Sequence, residues 1–333
     1  MENDFYFQWH LTNFCNWRCR HCYQSDFSPQ SDLDLAGLKA VADNILSVLK
    51  KWNKQAIINL TGGEPLLKKE LIPLLEYLNN QKQVKELAII TNGSLLDKNT
   101  IDKIKNFKKL NEIKISLDGA TEESNDVVRG KGAFKKAIAA IELLKPCKRI
   151  EKTVMFTLLR RNFTETTRML DLADKLGVNG VILERFIPWG RGEAIKGEVL
   201  SKEEWQGLVS RLLQFLEIPF TPELFSYKAF WVRFKRTGPH LFGAPCVAAE
   251  GGVCIMPNGD VLPCRRFNLK IGNLLERPLD EIYNGSEVLQ DLRKRGKLKG
   301  KCKNCLIKAC KGCRALAYAL KDDYLAEDTQ CFK

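Results

Sequence analysis

Short apolar runs alternate with amphipathic stretches between residues 5 and 187 of this 333-residue chain. Six of the runs have the length and the β-branched or aromatic content of strands: FYFQWHLT, AIINLTG, ELAIITNG, IKISLDG, KTVMFTLL and GVILERF. The stretch SDLDLAGLKAVADNILSVLKKW predicts a first helix, with Ser31 or Asp32 as its N-cap. Further helices are predicted near residues 69–80, 98–106, 133–144 and 163–175.

This alternation indicates an α/β fold. Six consecutive strand-helix units predict a parallel sheet, either an open doubly wound sheet or a partial barrel. In both arrangements ligands bind at the carboxyl ends of the strands. We therefore expect the functional residues at the points where the predicted strands end.

The C-terminal third has a different pattern. Residues 195–240 contain a predicted helix, SKEEWQGLVSRLLQFLE, and an aromatic-rich segment, FSYKAFWVRFKRTGPH, which suits either core packing or the mouth of a substrate site. The stretch GGVCIMPNGDVLPC then predicts a hairpin that turns at Asn258 and Gly259. The chain is therefore expected to carry a smaller unit after the α/β region.

Composition places the chain among globular proteins, since 44% of its residues are apolar and 28% are charged. The N-terminus has no basic segment followed by an apolar core, and no run is long enough to cross a bilayer. We therefore expect a cytoplasmic protein without a membrane partner. In that reducing compartment the 12 cysteines are expected to bind metal or clusters rather than to form disulfides.

The net charge of +13 is compatible with an acidic partner such as a nucleic acid, an anionic small molecule or an acidic peptide. Solvated helix faces are the favoured interpretation of this charge, because the lysines are spread over stretches such as KNFKKLNEIK. Charge therefore does not select a function.

Three cysteines lie close together in CNWRCRHCY, where Cys15, Cys19 and Cys22 follow the first predicted strand. Three thiolates can hold three corners of a [4Fe–4S] cluster and leave the fourth iron open to another ligand. A structural zinc site would need a fourth protein ligand, and His21 is poorly placed because it adjoins Cys22. A cluster is the favoured interpretation, and zinc remains the alternative.

Polar and glycine-rich motifs follow the next three strands. They are Thr61-Gly62-Gly63-Glu64-Pro65, Thr91-Asn92-Gly93 and Ser116-Leu117-Asp118-Gly119. All of them would gather with the cysteine triplet at one edge of a parallel sheet.

The cysteine triplet, the aromatic residue after it and the GGEP motif together resemble the radical S-adenosylmethionine (SAM) superfamily. The resemblance implies a partial (β/α)6 barrel, a cluster on the three cysteines and SAM on its open iron. By the same resemblance Gly62, Gly63 and Glu64 bind the methionine amino group, and Ser116 and Asp118 contact the ribose or the carboxylate. Tyr23 is interpreted either as a contact to the adenine or as core packing, and Arg129 either as a family residue or as an exposed side chain.

Eight further cysteines lie in the C-terminal region, which resembles the SPASM extension with its two auxiliary [4Fe–4S] clusters. Two structural zinc sites would use the same number of thiols. The resemblance implies that Cys246, Cys254, Cys264 and Cys313 hold one cluster and that Cys302, Cys305, Cys310 and Cys331 hold the other. The tight spacing at the end leaves Cys310 and Cys313 open to exchange, and Cys147 has no partner at useful spacing.

These resemblances imply a radical SAM domain over residues 1–190, a bridging segment over 191–240 and a SPASM domain over 241–333. They imply three [4Fe–4S] clusters, SAM, and a low-potential electron donor such as flavodoxin or ferredoxin. Modification of a peptide or protein, with a leader bound by the bridge or by a separate protein, is the first hypothesis. Trimming of tetrapyrrole side chains in an alternative haem synthesis is the second, and a zinc protein that binds nucleic acid without catalysis is the most remote.

Overall fold

A computed structural model describes residues 3–244, 246–307 and 310–333. Six parallel strands form its centre, and helices connect them. The strands are β1 (Asp4–His10), β2 (Gln55–Thr61), β3 (Val84–Thr91), β4 (Leu110–Ser116), β5 (Glu151–Leu158) and β6 (Gly180–Arg185). The helices between them are α1 (Leu35–Lys51), α2 (Leu71–Asn79), α3 (Lys98–Ile104), α4 (Glu122–Arg129), α5 (Ala133–Leu144) and α6 (Thr166–Lys175).

The strands form because alternate side chains can be buried. In β1, for example, Phe5, Phe7 and Trp9 are each at most 1% exposed. Parallel neighbours require crossover connections, which the helices supply together with apolar faces that cover the sheet. The six strands pair in sequence order, as the partial barrel requires.

The C-terminal region extends this sheet at both ends. It contains helix α7 (Lys202–Phe215), strands β7 (Ala229–Lys235), β8 (Gly238–Ala244), β9 (Gly252–Ile255), β10 (Asp260–Leu262) and β11 (Gly272–Asn273), and helices α8 (Leu279–Gly285), α9 (Glu287–Arg293), α10 (Gly300–Lys303) and α11 (Arg314–Lys321). The resulting order is β11-β10-β9-β1-β2-β3-β4-β5-β6-β7-β8. The cysteine-rich region therefore shares the sheet of the barrel.

Most predicted elements are confirmed, and three details differ. The aromatic-rich segment forms the antiparallel hairpin of β7 and β8, so the expected boundary at residue 240 lies inside a strand. Helix α1 begins after Asp34, whose side chain accepts from the amide of Gly37; Asp32 instead accepts from the amide of Asn13. Helix α4 was not predicted, because its sequence EESNDVVR is almost entirely polar. No helix among the described residues is both long and apolar enough to span a membrane.

Asn44 fastens the C-terminal region to helix α1. Its Nδ2 donates to the carbonyl oxygens of Leu274 and Arg277, at 2.7 and 2.9 Å, and its Oδ1 accepts from the amide of Leu279 at 2.9 Å. A single half-buried amide thus satisfies three backbone groups more than 200 residues away in the chain. Few other side chains could replace it, because both a donor and an acceptor are needed.

We expect Asn44→Ala to lower the free energy of unfolding by about 1–3 kcal/mol, because three hydrogen bonds are lost and their backbone partners are partly shielded from water. Urea unfolding followed by circular dichroism measures the change. Lys50→Ala, an exposed position of the same helix, serves as the control. Equal stability of the two variants would contradict this account of how the C-terminal region is held.

Candidate functional site

The carboxyl ends of the six parallel strands open into one cleft. Its walls include the loop after β1, the glycines after β2, Asn92 after β3, Ser116 at the end of β4 and Thr157 near the end of β5. Residues 184–187 at the end of β6 and the two arginines after Cys264 complete it. The strand ends therefore meet as expected, and the cysteine-rich region contributes a wall that was not predicted.

Cys15, Cys19 and Cys22 all line this cleft, and none of them forms a disulfide. The backbone amide of Trp17 donates to Cys15 Sγ at 3.4 Å, and that of Gln24 donates to Cys22 Sγ at 3.5 Å. Burial raises the pKa of both thiols to about 11. The backbone thus supplies donors that stabilise thiolate sulfur once a metal centre has displaced the protons.

The cysteine loop has neither helix nor strand, so its backbone must be held from outside. The amide of Gly63 donates to the Thr12 carbonyl at 2.7 Å, and the amide of Glu64 donates to the Phe14 carbonyl at 2.8 Å. A Cβ on Gly63 would lie 2.2 Å from the Phe14 carbonyl oxygen, so no larger residue fits there. The GGEP motif therefore positions the cysteine loop, and Gly62 and Gly63 also face the cleft.

Glu64 is fully buried between strands β2 and β3. One carboxylate oxygen accepts from the Thr91 hydroxyl at 2.7 Å and from the Leu66 amide, and the other accepts from the Asn92 amide at 2.8 Å. Burial raises the pKa of Glu64 to about 7, against the lowering effect of these donors. The carboxylate therefore joins two strand ends and does not itself line the cleft.

Asp118 is also fully buried, and its carboxylate contacts the side chains of Arg129 and His21 next to the cysteine loop. Its Oδ2 lies 2.6 Å from Arg129 Nε and 3.2 Å from His21 Nε2, while its Oδ1 accepts from the Thr157 amide at 2.7 Å. Arg129 in turn lies 3.9 Å from Cys19 Sγ. Arg129 is thus a buried member of the site rather than an exposed side chain.

Tyr23 and Ser116 both line the cleft, where the sequence had placed them. The Tyr23 ring meets His10 edge-on, with the hydroxyl 3.5 Å from His10 Nε2. Burial lowers the pKa of His10 to about 3 and that of His21 to about 4, so both imidazoles are neutral at pH 7. The positive charge in the cleft therefore comes from arginine.

Four arginines and one glutamate line the cleft: Arg129, Arg185, Arg265, Arg266 and Glu184. Arg185, Arg265, Arg266 and Glu184 were not predicted from the sequence. Arg265 and Arg266 stand together after Cys264 in the sequence, but Glu184, the carboxylate that both contact, lies about 80 residues earlier in the chain. Only the fold brings them together.

Four of the C-terminal cysteines share one cavity of about 370 Å³, which is far larger than a single metal ion requires. They are Cys302, Cys305, Cys310 and Cys331. The amide of Gly312 donates to Cys310 Sγ at 3.4 Å, and Lys333 Nζ lies 3.9 Å from Cys305 Sγ. Four convergent thiols with N–H donors fit a [4Fe–4S] cluster.

The other four cysteines form a chain of neighbours. Burial, together with the nearby thiols of Cys313 and Cys264, raises the pKa of Cys246 to about 12. Burial, and then the nearby thiol of Cys264, also raise the pKa of Cys254. In the hairpin, Cys254 lies opposite Leu262. The structure therefore places Cys313 near Cys246 and places Cys310 in the cavity with Cys302, Cys305 and Cys331, while the assignment of these thiols as cluster ligands stays a prediction.

Cys147 is half-buried in a separate part of the molecule, after helix α5. Within residues 3–244, 246–307 and 310–333, no three His, Cys, Asp or Glu side chains form a site for a single metal ion.

We expect Cys302→Ala and Cys310→Ala to affect the same cluster, so that the double variant loses no more iron than either single variant. Cys310→Ala combined with Cys313→Ala should lose about four iron atoms more, because it affects both auxiliary clusters. Iron and acid-labile sulfide per chain, measured after anaerobic reconstitution, report the difference, and Cys147→Ala is the control. Equal iron loss in the two double variants would contradict the grouping.

The raised pKa of Glu64 makes stability depend on pH. Between pH 4.5 and about 7 the unfolded chain releases this proton before the folded protein does, so rising pH favours unfolding. We expect the wild type to lose about 2–3 kcal/mol relative to Glu64→Gln between pH 5 and pH 8. Urea unfolding at several pH values measures the difference, with Glu76→Gln on an exposed helix face as control. Parallel pH profiles for wild type and Glu64→Gln would show that Glu64 ionises normally.

Two family models match the chain. The radical SAM superfamily model matches residues 9–173, and the SPASM model, described as an iron-sulfur cluster-binding domain, matches residues 246–314. The first match contains the cysteine loop, GGEP and the end of β4. The second contains seven of the eight C-terminal cysteines and both arginines after Cys264.

Relatives and solved structures agree with these matches. The chain is 29% identical to the AdoMet-dependent heme synthase of Methanosarcina barkeri, over 97% of this chain and 95% of the relative. It is 30% identical to the pre-heme d1 synthase of Dinoroseobacter shibae, over 97% and 85%. The solved structure of Streptococcus suis SuiB bound to the precursor peptide SuiA shares the fold, with a TM-score of 0.74 at 16% identity, over 100% of this chain and 77% of that one. The chain belongs to the radical SAM superfamily and carries a C-terminal SPASM domain.

Proposed function

We propose that this radical SAM enzyme removes carboxyl groups from the side chains of a tetrapyrrole. The observation that carries the proposal is the cleft, whose wall includes four arginines. Two of them are paired with Asp118 and Asp328, and the other two share the single carboxylate of Glu184. Propionate-bearing tetrapyrroles are polyanions, and guanidinium groups bind carboxylates with two parallel hydrogen bonds. The heme synthases that align over almost the whole chain support the same assignment.

This proposal reverses the order of the two hypotheses drawn from the sequence, in which peptide modification came first. Peptide modification stays as a second candidate because β8 is one of the two edge strands of the sheet among the described residues and could accept an extended peptide. SuiB, whose solved structure holds a precursor peptide, shares the fold, and that likeness concerns the fold alone. The arginine-rich cleft is the feature that favours the tetrapyrrole.

When bound, the cluster and SAM would supply a 5′-deoxyadenosyl radical that abstracts a hydrogen atom from the substrate. We assign Cys15, Cys19 and Cys22 to that cluster, with SAM contacts from Gly62, Gly63, Ser116 and Tyr23, which face the cleft. Glu64 and Asp118 would act indirectly, Glu64 by fixing the strand ends and Asp118 by holding Arg129 next to Cys19. The surrounding apolar side chains of Met155, Phe186 and Ile187 would help to exclude water.

Atoms and electrons balance in the proposed decarboxylation if one acceptor takes up a single electron. The side chain loses one hydrogen atom to the radical, then releases CO2 and one electron, and a vinyl group remains. The cysteine sets of the C-terminal domain would hold iron-sulfur clusters, which would supply the one-electron acceptor that this balance requires. With one cluster on the cysteine loop and one on each of the two C-terminal cysteine sets, we propose three clusters in total. We also propose that the chain divides into residues 1–190, 191–240 and 241–333. A flavodoxin or ferredoxin would deliver the electron that starts the reaction.

We expect the reconstituted enzyme, given SAM, dithionite and Fe-coproporphyrin III, to form a porphyrin lighter by CO2 and two hydrogens for each converted side chain. One 5′-deoxyadenosine should accompany each conversion. Mass spectrometry of the anaerobic reaction measures both products. Cys19→Ala should form neither, because the cluster on the cysteine loop is lost, whereas Cys147→Ala should retain activity. A rate of 5′-deoxyadenosine formation that the porphyrin does not change would favour the peptide candidate.

A further inference from the structure

Arg265 and Arg266 share a single buried carboxylate. Arg265 Nη2 lies 2.6 Å from one oxygen of Glu184, and Arg266 Nη2 lies 3.2 Å from the other. The three side chains are 9, 20 and 14% exposed, respectively, so water screens them poorly. Two guanidinium charges therefore face one carboxylate charge in a largely buried position.

The neighbouring charges are already paired elsewhere. Arg185 binds Asp328 at 2.9 Å, Arg129 binds Asp118 at 2.6 Å, and Lys114 lies 3.3 Å from Glu112. Counting the arginine, lysine and carboxylate side chains of the described residues and leaving the cysteines aside, one positive charge thus remains on the Arg265–Arg266 pair. Because an unmatched buried charge is costly, this position is suited to an incoming anion.

The pair also has hydrogen-bond donors to spare. Arg266 is tied down by its Nη1, which donates to the Arg185 carbonyl at 2.7 Å, and by its Nη2 on Glu184. Among the described residues, Arg265 uses only Nη2 for a hydrogen bond, and its guanidinium lies 5.3 Å from the centre of the Tyr23 ring. Both side chains line the cleft, so Arg265 offers the remaining face of its planar donor fork to a ligand there.

The location is suitable for holding a substrate. Arg265 contacts Tyr23 in the loop after β1, which carries the three cysteines, and Glu184 at the end of β6. It therefore bridges the two flanks of the six-stranded parallel sheet. An anion on Arg265 would lie between the cysteine loop and the far wall of the cleft.

We propose that Arg265 and Arg266 bind a carboxylate of the substrate, and that Glu184 holds the two guanidinium groups in place. The inference rests on the proposed function, because it takes the substrate to be a propionate-bearing tetrapyrrole. It assigns recognition of the substrate to the SPASM domain, through two residues that directly follow one of its cysteines.

The test is equilibrium binding to the anaerobically reconstituted holoenzyme without SAM or reductant, so that no turnover occurs. Fe-coproporphyrin III, with four free propionates, and its tetramethyl ester are titrated, and the change in porphyrin absorption gives Kd. We expect the wild type to bind the acid about 10- to 100-fold more tightly than the ester. Arg265→Gln and Arg266→Gln should each weaken binding of the acid about 10-fold or more and leave the ester unchanged.

Matched controls separate this role from general damage. Arg160→Gln removes an arginine that is paired with Glu204 outside the cleft, and its porphyrin affinity should equal that of the wild type. Iron content is measured in each variant, since Arg265 directly follows Cys264. The comparison of acid with ester in the wild type needs no variant and stands even if one arginine variant fails to fold.

Three outcomes would overturn the inference. Equal affinity of the wild type for acid and ester, or unchanged acid affinity in both cleft variants, would remove the arginine pair from recognition while leaving the proposed function intact. Unchanged porphyrin binding in the variants, together with weaker SAM binding in a separate titration of the same holoenzymes with SAM alone, would assign the pair to the SAM carboxylate. Failure of the wild type to bind either porphyrin would sink the inference together with the proposed function.

Discussion

The backbone of residues 11–24 is the constraint on which the site depends. This segment carries the three cysteines without helix or strand, so its polar groups need partners from other elements. Two amides of GGEP donate to the carbonyl oxygens of Thr12 and Phe14. The Val128 carbonyl at the end of α4 accepts from the amide of Arg20, and the amide of Gly192 donates to the Cys22 carbonyl. Elements from the second, fourth and sixth strand-helix units thus hold one loop.

Close approach of neighbouring backbone segments to the cysteine loop explains why glycine is needed at separate places around it. A Cβ on Gly190 would lie 2.5 Å from the Tyr23 carbonyl oxygen, much as one on Gly63 would strike Phe14. Glycine stands where the backbone of a neighbour must approach the cysteine loop directly. Motifs that resemble ligand contacts therefore have a second, structural reason to be glycine.

The sequence predicted what depends on local pattern. Apolar runs identified all six parallel strands, and Asn258-Gly259 identified the β9–β10 hairpin, in which Gly259 has a φ of +85°. Helix α4 was missed because a capping box between Thr121 and Ser124 starts it rather than an apolar stripe. The burial of Glu64 and Asp118 could not be predicted either, since it follows from the strands packed on both sides of them.

Interactions between distant segments were also beyond the sequence. The pairing of Glu184 with Arg265 and Arg266 spans about 80 residues, and that of Arg185 with Asp328 spans 143. No spacing in the sequence predicts either set of ion pairs, because both depend on the parallel pairing of β9 with β1 and on the return of the C-terminal residues to the end of β6. The cysteine pattern was easier to recognise because iron-sulfur clusters are held mainly by thiolates at close spacing, whereas a charged residue can serve many purposes.

These long-range pairs bear on how one fold serves different substrates. This chain shares its fold with SuiB at 16% identity, and a shared fold does not by itself set the substrate. Asp328 faces the cavity of the second cysteine set and holds Arg185 in the wall of the cleft. It also accepts from the amide of Cys313, a member of the first set. One buried carboxylate therefore contacts residues around both cysteine sets and in the wall of the cleft, so a change at Asp328 would disturb all three places.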